Sequence, residues 1–183
     1  LAALSPARTV PALLCEDGAV LFDSMAMAEE LATRHPEAQL WPAEPKARAL
    51  ARSITAEMHA GFSALRNECP MQLFHQWVGF EPTAKVRKDL ARFEVLFSHT
   101  KQIKLDGPWL FGTYSLADAF YAPLMARIAG YALPVSADVS TYVATTLADS
   151  AFQQWRSEGI AKTYEPFPYP QPLKKTDWPT THV

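Results

Sequence analysis

The chain has 183 residues, 49% of them hydrophobic and 20% charged, the proportions of an ordinary globular protein with room for a substantial core. Its formal net charge of -2 lacks the concentrated basic field that nucleic acid or an anionic membrane surface recruits, so neither is expected as a partner. No run approaches the roughly 20 apolar residues of a membrane-spanning helix, and the first residues, LAALSPARTV, lack the charged head and long apolar stretch of a secretory signal.

The two cysteines, Cys15 and Cys69, have no CxxC or CxxH companions, which argues against a zinc site, a disulfide framework or a dithiol motif and fits a reducing, cytoplasmic setting. The histidines, at 35, 59, 75, 99 and 182, never reach a metal-ligand spacing such as HxxxH, and no metal is expected. Cys15 falls in an apolar run without a basic neighbour and reads as an inert thiol.

In chain order, residues 10–15 form a short apolar run, Glu16-Asp17-Gly18 carries an Asp-Gly turn signal, and residues 19–22 form a second apolar run; together they predict a β-hairpin. From Ser24 the spacing turns helical, with Met25, Ala28, Leu31 and Ala32 on one stripe and Glu29, Glu30 and Arg34 outside it, ending near His35-Pro36. PEAQLWPAEP, residues 36–45, has three prolines in ten positions and no periodicity, and reads as a linker.

Beyond the linker the pattern is helical throughout. Leu50, Ile54, Met58, Phe62, Leu65 and Cys69 trace an apolar stripe along one long helix that Pro70 ends or kinks, and Arg52, Thr55, His59, Ser63 and Arg66 run beside it as a polar stripe. GFEPT is a loop, and near Thr83 a second long helix starts, with Leu90, Phe93, Leu96 and Phe97 at compatible spacing; the two helices suggest an antiparallel hairpin. After the loop DGPWLFGTY, Ser115-Leu116-Ala117-Asp118 is a capping-box pattern whose role is structural, and Asp118→Ala is expected to cost about 1 kcal/mol or somewhat more. A buried helix through Phe120, Leu124 and Ile128 follows, then weaker helices near 137–147 and 150–161. The last twenty residues hold five prolines and predict an extended tail that lies on the helical unit or is partly disordered.

This order of strand, turn, strand, helix, proline-rich linker and helical unit resembles the cytosolic glutathione S-transferases, especially bacterial members of the zeta-like and beta-like kind. Three stretches carry the resemblance, which runs from about Ser5 to Lys162. SPARTVPALL is similar to the family's loop before the third strand, whose Val-Pro peptide is cis; DSMAMAEELATRHP to its Glu/Asp-Ser helix start; and FGTYSLADAFYAP to its helical capping motif. The resemblance implies a thioredoxin-like α/β N-terminal domain followed by an all-α helical-bundle domain. The division would be a glutathione-binding part at 1–35, a linker at 36–45, the helical domain at 46–163 and a proline-rich tail at 164–183. The family's first β-α-β unit, on the order of 30 residues, is expected to be absent from the chain as given. In the family that unit holds the Tyr, Ser or Cys that activates the thiol, so the catalytic group is not assigned.

The resemblance also implies glutathione as co-substrate. Val10, next to Pro11, would pair through its main chain with the cysteinyl backbone; Ser24 would take the γ-glutamyl carboxylate on its N–H and hydroxyl; and Asp23 would help hold the ammonium group. A helix start suits a carboxylate because its N–H groups are unpaired and its dipole end is positive. Capping alone accounts for Asp23 or Ser24, though not for the hairpin and Val-Pro beside them. Arg8 stands near the position where many relatives carry a basic or amide residue for the glycyl end, and it either supplies that charge or is simply solvated. Met58, His59, Phe62 and Arg66 would border the pocket for a small hydrophobic electrophile, although a solvated helix face is the commoner source of such a polar stripe and the apolar members, Met58 and Phe62, fit the core better than the pocket. The implied activity is attack of the glutathione thiolate on that electrophile, or a glutathione-assisted isomerisation, in a homodimer. The alternatives are a non-catalytic binding protein of the same fold, and a glutathione-dependent thiol reductase or peroxidase.

Overall fold

A computed structural model describes residues 4–162 and 171–179. At the N-terminal end, strands β1 (Leu13–Leu14) and β2 (Val20–Leu21) pair antiparallel, with Leu13 opposite Leu21 and Leu14 opposite Val20. The predicted hairpin is present but each strand is only two residues long. Gly18 has a φ of 86° in the turn, a conformation glycine adopts without penalty, and the Asp17 carboxylate accepts from the Ala19 N–H at 3.1 Å. Asp17 also pairs with Arg34 at 2.8 Å, which ties the turn to the far end of helix α1 (Ser24–Arg34).

Asp23 is the N-cap of α1, its Oδ1 accepting from the Met25 and Ala26 N–H groups at 2.8 and 3.2 Å. The helix ends before Pro36 as expected. On its apolar stripe Ala28 is buried, whereas Leu31 is exposed. A bidentate pair from Arg52 to Glu29, at 2.8 and 2.9 Å, joins α1 to the helical body.

The proline-rich stretch is more than a spacer. A single 3₁₀ turn (Pro36–Ala38) leads to Trp41, which is buried, with the Arg52 guanidinium over its ring. The Leu40 carbonyl accepts from the Leu116 N–H at 2.9 Å. Six helices follow: α2 (Pro45–Ala60), α3 (Ser63–Glu68), α4 (Ala84–Lys101), α5 (Leu116–Gly130), α6 (Ala137–Ala148) and α7 (Ser150–Ile160). The centre is α5, which packs against α2 and α6 and buries Ala117, Tyr121, Leu124, Met125 and Ile128. The Tyr121 hydroxyl donates to the Ile54 carbonyl at 3.0 Å, which settles its polar end in the core.

The single long helix expected from Leu50 to Cys69 is two helices. The Gly61 N–H closes α2 on the Glu57 carbonyl at 2.8 Å, and Phe62 then takes a φ of 58° before α3 starts. The apolar stripe survives because Phe62, Leu65 and Cys69 re-enter the core after the break. Gly61 is required by proximity: a Cβ there would lie 2.7 Å from the Glu57 carbonyl oxygen. Gly61→Ala is therefore expected to destabilise by about 1–3 kcal/mol, read as a lower urea midpoint without a change in slope.

A second sheet was not foreseen. Strand β3 (His75–Val78) pairs antiparallel with β4 (Lys174–Asp177), His75 opposite Asp177 and Val78 opposite Lys174. Trp178 follows, buried beneath the Arg156 guanidinium at 5.2 Å and packed near Gly130. Residues 171–179 thus lie on the helical body, as the extended-tail reading allowed; the rest of the predicted tail lies outside the described residues.

Candidate functional site

The loop that joins β2 to α1 brings Asp23 and Ser24 to the C-terminal end of α2. One cleft of about 330 Å³ is lined by Ser24, by Met58 and His59 of α2, by Arg66 of α3, and by Ala119, Phe120 and Pro123 of α5. Of the expected site residues it gathers Ser24, Met58, His59 and Arg66, and Asp23 borders it through His59. Met58 is buried in the core and contributes little open surface. Phe62 is not part of the lining: it is buried, with its ring edge-on to Tyr121 at a centroid distance of 6.4 Å, in keeping with its place on the apolar stripe. Val10, Pro11 and Arg8 lie on the exposed loop ahead of β1, outside the cleft; the Val10–Pro11 peptide is cis and Val10 is 79% exposed.

His59 is the junction of the site. Its Nδ1 lies 3.2 Å from Ser24 Oγ and its Nε2 lies 3.1 Å from Asp23 Oδ2. Arg66 is fixed by carbonyls at the end of α2, donating from Nη2 to Met58 at 2.6 Å and from Nε to Gly61 at 3.1 Å. These are the carbonyls a helix end leaves without helical donors. The α5 residues of the cleft went unnoticed in the sequence. Pro123, which has no N–H, cannot close the helical bond to the carbonyl of Ala119 one turn back, and both residues line the cleft. Across them lies a second hollow of about 250 Å³, more apolar, with Tyr114, Phe152 and Trp155 in its wall.

The N–H of Ala26, with that of Met25 and the imidazole of His59, holds the Asp23 carboxyl below the usual carboxylate range. Glu44 is lowered by the Ala47 N–H it caps, and Glu57 by its hydrogen bond from Arg92. A carboxyl whose pKa is lower folded than unfolded gives stability that is fully present above the unfolded value and is lost as pH falls through the folded one. The stability these three carboxylates give is expected to be whole above about pH 4 and to decline below it. Asp23→Asn should flatten part of that acid limb in a circular-dichroism titration.

Burial pushes the Cys69 thiol up to about 12, which leaves it inert near neutrality. Cys15 is half-buried and makes no disulfide. Among the described residues there is no group of three or more His, Cys, Asp or Glu side chains placed to hold a metal ion. Nor is any helix among them long and apolar enough to cross a membrane.

A hairpin and helix joined through a short linker to a helical bundle centred on a capped, buried helix is the frame of a thioredoxin-like domain followed by an all-α domain. Residues 1–34 match the family model of the glutathione S-transferase N-terminal domain. Maleylacetoacetate isomerase of Pseudomonas aeruginosa is 30% identical over 161 residues, covering 83% of this chain and 73% of the isomerase. Among solved structures, a glutathione transferase homologue from Burkholderia with bound glutathione aligns at a TM-score of 0.59 and 27% identity, over 85% of this chain and 76% of that one. A glutathione S-transferase from Rhodospirillum rubrum F11 shares the fold at a TM-score of 0.61 and 21% identity, over 92% and 78% of the two chains. The chain belongs to the cytosolic glutathione S-transferase family.

Proposed function

We propose that this protein is a glutathione-dependent enzyme that adds the glutathione thiolate to a small hydrophobic electrophile or uses glutathione to assist an isomerisation. The observation that carries this reading is the convergence of Ser24, Asp23 and His59 at one cleft, where the start of α1 meets the end of α2. The γ-glutamyl carboxylate is received by the N–H and hydroxyl of Ser24 at the positive end of the helix, and the ammonium group by the Asp23 carboxylate. The Val10 main chain, beside Pro11, takes the cysteinyl backbone, and Arg8 the glycyl carboxylate. The electrophile rests against Phe120 and Pro123, over the buried Met58, with Arg66 at the rim. The isomerase relative and the glutathione-bound structural neighbour support the choice of co-substrate and reaction class.

Thiol activation is not assigned to any residue of this chain. A thiol reductase reading would need a reactive cysteine, and Cys69 is too deeply buried to serve. The working unit is a homodimer in the cytoplasm, with the glutathione-binding part at 1–35 and the helical domain at 46–163. The test is turnover of glutathione with 1-chloro-2,4-dinitrobenzene and, separately, with maleylacetoacetate. Activity on either supports the proposal, whereas glutathione binding without turnover of any electrophile would replace the enzyme with a carrier of the same fold.

A further inference from the structure

His59 was expected only to border the electrophile pocket, yet both of its ring nitrogens are committed to the two residues assigned to glutathione, 35 and 36 positions away in the sequence. Phe120 stands edge-on to the imidazole at a centroid distance of 6.4 Å. Among the described residues, the titratable and charged groups that share the cleft with it are Asp23, at its border, and Arg66. Asp23 comes from the α1 side, and Arg66 of α3 is already donating to two carbonyls; α5 lines the cleft with Ala119, Phe120 and Pro123.

The protonation state of His59 decides what Ser24 can do. A neutral imidazole that donates from Nε2 to Asp23 keeps Nδ1 as an acceptor, which takes the Ser24 hydroxyl proton and leaves that hydroxyl unable to donate to an incoming carboxylate. The other neutral tautomer would set a lone pair of Nε2 against the Asp23 carboxylate. The imidazolium donates from both nitrogens: Asp23 keeps its partner, Ser24 Oγ becomes an acceptor, and the serine proton turns free to bond a ligand carboxylate.

We infer that His59 is a positioning residue for the γ-glutamyl end of glutathione, and that seating the carboxylate on Ser24 draws one proton from solvent onto the His59 imidazole. This rests on the glutathione reading above and adds to it a coupling between ligand binding and a group on α2.

The probe is S-methylglutathione, whose blocked thiol cannot itself release a proton. Calorimetric titration in two buffers of different ionisation enthalpy should show net proton uptake, and binding should tighten several-fold from about pH 8 to about pH 6. His59→Gln, its fold checked by circular dichroism, should bind more weakly and lose both the uptake and the pH dependence. Ser24→Ala should lose the uptake too, and it decides the matter if the glutamine variant does not fold. Unchanged uptake in the variants, or wild-type binding with no uptake, overturns the role of His59 and leaves glutathione binding standing. Failure of the wild-type protein to bind S-methylglutathione at any pH overturns both.

Discussion

Asp118→Ala should destabilise the protein by about 3–5 kcal/mol, a large share of the total stability of an ordinary domain. The carboxylate is 1% exposed and is more than a helix cap. Its Oδ2 accepts from the Ser115 N–H at 2.9 Å and from the Ser115 hydroxyl at 3.1 Å, completing the capping box. Its Oδ1 accepts from the Leu110 N–H at 3.0 Å, which anchors the loop before α5, and from the Tyr142 hydroxyl at 2.9 Å, which reaches in from α6. Burial nevertheless pushes its carboxyl up, against the pull of those four bonds, and raises the Tyr142 hydroxyl far enough that it remains a donor. Alanine would strand the donors in the core.

Asp118→Asn separates the shape of the side chain from its acceptors. The amide keeps one oxygen and sets an NH₂ group against donors on its other side, so about 2 kcal/mol should still be lost. Urea unfolding followed by far-UV circular dichroism measures both variants. A loss below about 1 kcal/mol for Asp118→Ala would reduce the residue to an ordinary cap.

Ser24→Ala should weaken glutathione binding by roughly 10- to 100-fold, the worth of about 1.5–3 kcal/mol in a hydrogen bond to a charged group. Stability should hardly change, because the Met25 and Ala26 N–H groups are capped by Asp23 and not by Ser24. The expected kinetic signature is a raised KM for glutathione with a smaller change in kcat. Asp23→Ala should differ, lowering stability by about 1 kcal/mol through loss of the cap as well as weakening the ligand.

Much of this architecture was legible in short-range signals. The Asp-Gly turn, the Asp-Ser helix start, Thr83 and the Ser115-to-Asp118 box each act within a few residues, and the structure places helices or turns at all of them. Gly61 sits inside an unbroken apolar stripe, which reads as one helix, so the break went unseen although the stripe still put Phe62 on the core side. The β3–β4 pairing was hidden for a different reason. Lys174–Asp177 is a wholly exposed polar strand whose partner lies on the far side of four helices in the sequence, so no local pattern announces it. In the site, His59 and Arg66 were named from a polar stripe and a resemblance, but their partners were not. Ser24 and His59 meet only because the start of α1 is brought to the end of α2, and the contributions of Phe120 and Pro123 depend on where α5 crosses. The second acceptor role of Asp118 escaped for the same reason, since Leu110 and Tyr142 come from a loop and from another helix.

The most direct test is a crystal structure of the protein grown with glutathione. The expected result is the γ-glutamyl carboxylate within hydrogen-bonding distance of the Ser24 N–H and Oγ, the ammonium group at Asp23, and His59 still joined to both residues. Glutathione bound elsewhere, or a cleft between α1, α2 and α5 left empty at saturating ligand, would contradict the account.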